Sequence, residues 1–202
     1  MSTPCPGQRS HKVWYSRGYL PHLDEPGLVQ GITYRLYDSM PAERRAEWEA
    51  LLQMQNLKAQ QQRIETYLNS GYGSCWLRDA RIAEVVQDNL LHFDAQCYHL
   101  LAWVIMPNHV HVLIETRQGH PLPEVVHSWK SYTANRANQV LGRAGPFWHR
   151  EYFDRYIRDE RHLEQAVLYL HGNPVTAGLV ERAEDWPFSS ARWVAALDAT
   201  LP

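Results

Sequence analysis

The sequence is poor in cysteine and has no long apolar run, and both absences narrow what the protein can be. Its three cysteines, Cys5, Cys75 and Cys97, form no CxxC pair and are odd in number. This argues against a disulfide framework or a zinc knuckle and predicts free thiols. No run of roughly 18 apolar residues predicts a membrane span, and the first residues lack the apolar core of a signal peptide. We therefore expect a cytoplasmic protein with no membrane partner.

A strong net charge is also absent, since the formal net charge is only −2. The distribution of charge is more informative. Between Arg117 and Arg150 only one acid, Glu124, accompanies the basic residues, and four large aromatic residues are interleaved with them. This mixture suits a nucleic-acid groove, because cations bind phosphates and rings stack on unpaired bases, although a solvated helix with core aromatics explains it about as well. The candidates for contacts to a DNA backbone are Arg117, Lys130, Arg136, Arg143 and Arg150.

The length of 202 residues suits one domain with additions. Residues 1–26 contain four prolines and no sustained periodicity, which predicts an irregular leader. We expect the domain at residues 27–193 and a tail at 194–202. Within the domain, the segment of about 41–70 is polar with a discontinuous apolar stripe, which predicts an inserted helix or helical pair.

The predicted elements alternate in a characteristic order of strand, helices, two strands, helix, strand, helix. Only Met106-Pro107-Asn108 separates the paired strands, so they should form an antiparallel hairpin. The order predicts an α+β fold with a ferredoxin-like (RRM-like) antiparallel sheet, helices packed on it, and an extra helical segment near the N-terminus. The pattern places strands at 27–37, 97–106, 109–115 and 147–157, and helices at 41–67, 79–93, 121–141 and from 159 to a stop at 172–174.

Two histidines stand at the start of the second strand of that hairpin. Since His109 and His111 are two residues apart on a strand, their rings share one face, roughly 6 to 7 Å apart along the backbone. That spacing suits a metal site, but paired hydrogen-bonded histidines would have the same spacing. Two ligands are also incomplete, because a catalytic metal usually takes a third protein ligand.

Tyr169 and Asn173 are candidates for the rest of such a site. They lie four residues apart on the last predicted helix and therefore on one face of it. The amide oxygen of Asn173 can bind a hard divalent cation, and the phenol of Tyr169 could reach a substrate held nearby. A core tyrosine and a helix-ending asparagine explain the same residues, and the pattern alone cannot join them to the histidines.

Five sequence segments that follow one another along the chain are far more specific than the His109/His111 spacing alone. They are WVIMPNHVHVLIE at 103–115, SWKSYTANRAN at 128–138, GPFWHREYFDRYIRDE at 145–160, LYLHGNPVTAGLV at 168–180 and DWPFSSAR at 185–192. In this order they resemble the REP-associated tyrosine transposases, which belong to the HUH single-strand transposases. The resemblance runs from about Gly27 to Trp193. The long segment at 41–70 is more than the smallest members need, and its role is open.

The resemblance implies a set of roles for the motif residues. His109 and His111 would be metal ligands for Mg²⁺ or Mn²⁺, with Asn173 as the polar third ligand. Tyr169 would be the nucleophile that cleaves and rejoins single-stranded or hairpin (REP-like) DNA through a 5′-phosphotyrosine. The protein would act as a monomer or a homodimer.

Three alternatives remain open at this stage. The chain could be a domesticated DNA-binding protein that performs no strand transfer. A metal-dependent hydrolase with an activated water would need an HExxH motif or a further carboxylate at ligand spacing, and neither is evident. Tyr132 is a rival nucleophile, but Arg136 occupies the position four residues on, where the Tyr169 pattern has a metal-binding amide.

Overall fold

The computed structural model describes residues 10–16, 21–40, 42–52, 54 and 57–198. Its regular elements are six strands and six α-helices. The strands are β1 (Val13–Ser16), β2 (Pro21–Asp24), β3 (Val29–Leu36), β4 (Tyr98–Ile105), β5 (His109–Thr116) and β6 (Trp148–Tyr156). The helices are α1 (Arg45–Leu52), α2 (Leu57–Asn69), α3 (Ala80–His92), α4 (Leu122–Val140), α5 (Glu160–Thr176) and α6 (Ala191–Asp198).

Four strands form the central sheet in the order β4-β5-β3-β6, and each neighbouring pair is antiparallel. Helix α3 lies in the connection from β3 to β4, and helix α4 in the connection from β5 to β6. This is the βαββαβ arrangement of a ferredoxin-like fold. The α+β class with an antiparallel sheet, predicted from the order of elements, is confirmed.

One face of the sheet carries the main hydrophobic core. Side chains alternate along a strand, so Val110, Val112 and Ile114 of β5 point toward α3 and α4 and pack with residues such as Trp129. Each such side chain contributes roughly 1.5–3 kcal/mol when fully buried. Within this core the Trp129 indole donates to the Tyr98 hydroxyl at 3.0 Å. This core holds the sheet in place, and the opposite face of the same sheet bears His109 and His111.

The opposite face carries the intervening residues of the same strands. His109, His111 and Leu113 of β5 lie on this face, and Leu113 packs with Leu170 of α5. On β6, Phe153 packs against the cluster formed by α1 and α2. Helices α5 and α2 therefore cover two neighbouring parts of the face that bears the histidines.

Helix α5 is longer than the sequence predicted. The expected stop at 172–174 is wrong, because α5 continues through Pro174 to Thr176. A proline near the C-terminus removes one amide hydrogen but leaves the following bonds intact, and the amide of Ala177 still donates to the Asn173 carbonyl at 2.9 Å. The glycine that follows the helix is Gly178, whose φ of 67° is the left-handed conformation that glycine favours.

The two additions to the ferredoxin-like core contain regular structure. The segment 41–70 holds the helical pair α1 and α2, as the discontinuous stripe allowed. Within the predicted leader, β1 and β2 form an antiparallel hairpin, and the buried His22 of β2 hydrogen-bonds Asp154 of β6. At the other end α6 crosses the expected boundary at 193/194. The domain limits themselves stay a prediction.

The cysteines differ from expectation in one respect. Cys75 is free, but Cys97 is disulfide-bonded, so the prediction of three free thiols is wrong for Cys97. Wide spacing in the sequence does not limit how close two cysteines lie in the fold. Cys5 lies outside the described residues. Among the helices that the structure describes, none is both long and apolar enough to cross a membrane.

Candidate active site between β5 and α5

The tight loop before β5 brings the two histidines to the centre of the sheet. The Leu36 amide at the end of β3 donates to the Asn108 carbonyl at 2.8 Å, which anchors this loop beside β3. The rings of His109 and His111 then lie with centroids 4.7 Å apart and planes at 87°. Both are buried, with 1% and 6% of their surface exposed. Their positions two residues apart on β5 therefore do place both imidazoles together at one buried site.

One nitrogen of each imidazole is held by a neighbouring side chain. The Nδ1 atom of His109 lies 2.7 Å from Oδ1 of Asn108, and Nδ1 of His111 lies 2.7 Å from Oγ1 of Thr33. Because an amide oxygen only accepts, Nδ1 of His109 carries the hydrogen and its Nε2 presents a lone pair. Both Nε2 atoms are buried without a hydrogen-bond partner. Buried polar atoms normally have one, so these two nitrogens are candidates for binding a metal ion.

Burial also keeps the two imidazoles neutral. Desolvation lowers the pKa of His109 well below its ordinary value, and the neighbouring His111 lowers it further. Burial alone lowers the pKa of His111 to about 4. Neutral imidazole is the form that binds a metal, because protonation would occupy the donor lone pair.

Tyr169 and Asn173 of α5 lie on the side of the sheet that bears the histidines, and these four residues form the candidate site, called the pocket below. The ring centroid of Tyr169 lies 6.3 Å from that of His111 within the same chain. The Asn173 side chain is 2% exposed, and its Nδ2 donates to the Tyr169 carbonyl at 3.0 Å. Its Oδ1 lies 3.5 Å from the Tyr169 hydroxyl. The Tyr169 residue is 43% exposed, so part of its side chain is open to solvent.

Two imidazole nitrogens and one amide oxygen of this site are atoms that can bind a divalent cation. In the described part of the chain, no group of three His, Cys, Asp or Glu could hold a metal ion. Two imidazole Nε2 atoms and the amide oxygen of Asn173 would leave coordination positions for substrate oxygens, as a catalytic site requires.

Two further residues of this pocket come from α2, and sequence reasoning missed both. Nδ2 of Asn69 donates to Oδ1 of Asn173 at 3.3 Å. Burial, and after it the nearby carboxylate of Glu65, raise the pKa of the Tyr169 phenol. The spacing of Glu65 and Asn69 shows that they share one helical face, but nothing in the sequence relates that face to α5.

A buried cation also lies on the site face of the sheet. Arg35 of β3 pairs in register with His109 and is 3% exposed. Its guanidinium lies 4.9 Å from the Trp48 ring centroid and donates to Ser39 Oγ at 3.0 Å. Burial lowers its pKa to about 10, which leaves it charged at neutral pH. A fixed positive charge here favours an anionic substrate.

The five candidate DNA-binding cations lie on or beside α4 and β6, apart from Arg117. Lys130 is committed internally, since its Nζ donates to the carbonyls of His149 and Arg150 at 2.7 and 2.6 Å. The Arg150 side chain is 84% exposed and shares a cleft of about 280 Å³ with Lys130. Arg136 is exposed and Arg143 partly so, and both bond nearby oxygens. Arg117, just after β5, donates to the Ala95 carbonyl.

Tyr132 lies away from this pocket. It belongs to α4, which packs with α3 on the opposite face of the sheet from His109 and His111. The structure therefore brings Tyr169, and not Tyr132, beside the histidines.

Comparison with known protein families finds a match over just under half of the chain. Residues 77–173 match the profile of the family described as "Transposase IS200 like". That segment runs from before α3 to the asparagine of the pocket, so it includes both histidines and Tyr169.

The resemblance to the REP-associated tyrosine transposases that the sequence motifs predict is confirmed by two further comparisons. A predicted REP-associated tyrosine transposase of Haemophilus influenzae is 28% identical over 109 residues, which are 46% of this chain. The matched region covers 58% of that relative's length. The structure of a REP-associated tyrosine transposase bound to a REP hairpin superimposes with a TM-score of 0.52 at 19% identity. It covers 93% of this chain and 87% of that one, which shows a common fold.

Proposed function

We propose that this protein is a metal-dependent DNA transposase or endonuclease that cleaves and rejoins single-stranded or hairpin DNA through a 5′-phosphotyrosine. The observation that carries the proposal is that two buried imidazoles with unpartnered Nε2 atoms lie close to the ring of a partly exposed tyrosine. The family match and the fold shared with a transposase bound to a REP hairpin support the same class of substrate.

Each residue of the pocket has a role in this proposal. His109, His111 and Asn173 would hold Mg²⁺ or Mn²⁺, which supplies Lewis-acid polarisation of a phosphate oxygen when bound. Tyr169 attacks phosphorus, and the 3′ oxygen leaves. Because the phosphotyrosine keeps the energy of the phosphodiester, a second 3′-hydroxyl can reverse the step and join a new strand. Arg35 favours the approach of the phosphate backbone.

A covalent-adduct assay tests the function directly. The protein is incubated with labelled single-stranded hairpin DNA and Mg²⁺ or Mn²⁺, and the products are separated under denaturing conditions. We expect a protein-linked DNA band that needs the divalent ion. Cleavage without a linked band would instead indicate a hydrolase, and binding with neither would indicate a DNA-binding protein without strand chemistry.

Thr33→Val is expected to weaken divalent-ion binding about 10- to 100-fold, the usual cost of losing a side chain that orients a metal ligand. The valine keeps the shape but removes the oxygen that lies 2.7 Å from Nδ1 of His111, so the ring loses its orientation. Thr33→Ser is the matched control, since it keeps the hydroxyl. Calorimetric titration with Mn²⁺ measures the effect, and equal affinities in both variants would contradict it.

Removing the exposed cations should weaken DNA binding and its dependence on salt. A triple change of Arg136, Arg143 and Arg150 to Gln is expected to lower hairpin affinity by roughly 10-fold or more. The slope of log K against log salt should fall by roughly 2, since each lost phosphate contact accounts for roughly 0.7 to 0.9. Arg182→Gln is the control, because that exposed arginine pairs with Glu184. An unchanged slope in the triple variant would contradict the assignment.

A further inference from the structure

The loop between β4 and β5 is held from two sides, and both contacts involve Asn108. The Leu36 amide donates to the Asn108 carbonyl at 2.8 Å, and Nδ2 of the Asn108 side chain donates to the Tyr72 carbonyl at 3.0 Å. The same side chain, which is buried, also reaches His109, whose Nδ1 lies 2.7 Å from its Oδ1. Asn108 therefore connects the turn that contains Tyr72 to the first histidine of the pocket.

The chemistry of these groups decides which atom carries each hydrogen. A backbone carbonyl only accepts hydrogen bonds, so the end of the Asn108 amide that faces Tyr72 must be the NH₂ group. The opposite end is then the oxygen, which also only accepts. Nδ1 of His109 must therefore donate, and in the neutral ring Nε2 keeps its lone pair. The Tyr72 carbonyl thus sets the tautomer of His109 through one intervening side chain.

The hydrogen bond of His111 does not impose a tautomer in this way. Its Nδ1 lies 2.7 Å from the Thr33 hydroxyl, and a hydroxyl can donate as well as accept. That bond is therefore compatible with either tautomer of His111. The two imidazoles differ in this respect, because the fold fixes the tautomer of His109 and leaves that of His111 to follow a ligand.

The position of the Tyr72 carbonyl is set by the inserted helical pair and by the turn that follows it. The Tyr72 ring lies 5.1 Å from the ring of Tyr67 on α2, and the Arg44 guanidinium lies 4.7 Å from the centre of the Tyr72 ring. The next residue, Gly73, has a φ of 87°, and a Cβ added there would clash with the Asp38 carbonyl. Glycine fits this close backbone approach because it has no Cβ. The inserted segment therefore reaches the histidine through Tyr72.

We propose that the Tyr72 carbonyl and the Asn108 amide form a relay that holds His109 in the Nδ1–H tautomer and so presents its Nε2 lone pair to a metal ion. This inference rests on the proposed function. Asn108 and Tyr72 are positioning residues, because neither lends an atom to the proposed ligand set. In the other tautomer His109 would turn an N–H toward the cation, and that nitrogen could not bind it. Outer partners of this kind usually change metal affinity by roughly 10- to 100-fold.

The nitrogen-15 NMR shifts of the histidine rings test the relay in the metal-free protein. We expect the wild-type His109 ring to carry its hydrogen on Nδ1, with its signals assigned by their loss in His109→Gln. Asn108→Leu keeps the approximate shape of the side chain but neither donates nor accepts, so the share of His109 rings with the hydrogen on Nε2 should rise. A wild-type ring with its hydrogen on Nε2 overturns the inference without any variant. An unchanged tautomer in a folded Asn108→Leu overturns it as well.

Gly73→Ala tests the remote end of the relay. The new Cβ would displace the turn and with it the Tyr72 carbonyl, so the affinity for Mn²⁺ should fall by roughly 10-fold or more in a calorimetric titration. Gly71→Ala is the matched control, since Gly71 also has a left-handed φ, of 70°, but a Cβ there meets no atom within 4 Å. Its affinity for Mn²⁺ should match that of the wild-type protein. Equal affinities in the two variants overturn the role of the turn.

The two readouts separate this inference from the proposed function. Absence of Mn²⁺ binding in the wild-type protein overturns the proposed metal site, and with it the role of the relay in metal binding. The affinity of Asn108→Leu for Mn²⁺ should fall by roughly 10- to 100-fold. Mn²⁺ binding that is equal in the wild-type protein, Asn108→Leu and Gly73→Ala overturns only this inference and leaves the proposed function intact.

Discussion

Tyr169→Phe is expected to abolish the covalent protein–DNA adduct and to slow strand cleavage by at least roughly 10⁴-fold, as removal of an essential nucleophile does. The change removes one oxygen atom and keeps the ring that lies beside His111. Since Tyr169 is 43% exposed, the loss of its hydroxyl should change the melting temperature little. Labelled hairpin DNA separated on a denaturing gel measures the adduct.

Tyr132→Phe is the matched control for this experiment. Tyr132 is also a helical tyrosine of the chain, but α4 holds it on the face of the sheet that lacks the histidines. Its variant should form the adduct at the wild-type rate. Loss of the adduct in Tyr132→Phe with retention in Tyr169→Phe would reverse the assignment of the nucleophile.

His109→Ala and His111→Ala should each lower divalent-dependent cleavage by roughly 10³-fold, because the cation contributes several kcal/mol of charge stabilisation in the transition state. The double variant should be little worse than either single one, as residues that act as a unit are not additive. A stability measurement gives an independent readout. Mn²⁺ should raise the melting temperature of the wild-type protein, because a ligand bound only by the folded state stabilises it. That rise should vanish in both variants.

His99→Ala is the control for the loss of an imidazole as such. His99 lies on the neighbouring strand β4 but is exposed. We expect its variant to keep the Mn²⁺-induced rise in melting temperature and the cleavage rate. If His109→Ala and His111→Ala keep both properties as well, the unpartnered Nε2 atoms have another role, and the proposed metal site is wrong.

The catalytic and metal-binding roles stay predictions. The fold nevertheless explains why the two histidines lie so far in the sequence from Tyr169 and Asn173. His109 and His111 come from a strand whose position is set by the loop at Asn108, and Tyr169 and Asn173 come from a helix packed over that strand through Leu170. The pocket thus draws on two elements some sixty residues apart in the sequence. Neither element alone offers more than two ligands.

Helix α2 changes the interpretation of the inserted segment. From the sequence it was a polar helical region of open role, and in the fold it packs beside β6 and presents Glu65 and Asn69 to the pocket. The sequence pattern of this segment predicts helix α2, but it does not show against which part of the fold the helix packs. A polar residue on an amphipathic helix has the same signature whether it faces water or a buried site.

The sequence by itself determined the order of the elements, the antiparallel hairpin and the common face of His109 and His111. These follow from local rules, namely a period of two along a strand, a period near 3.6 along a helix, and a short loop between paired strands. The family resemblance, which depends on motifs in series, was likewise readable from the sequence. Both kinds of signal lie within short stretches of chain.

Only the tertiary structure decided which surfaces meet. In the fold, α5 continues past Pro174 and Cys97 is disulfide-bonded. The N-terminal hairpin contacts Asp154, and Glu65 lies near Tyr169. Such contacts depend on how helices pack over a sheet, and the packing energy is spread over many apolar side chains that interdigitate without leaving a distinct local sequence pattern. The residues that share a pocket are therefore fixed by the whole fold, although the helices and strands that carry them are fixed by their own sequence.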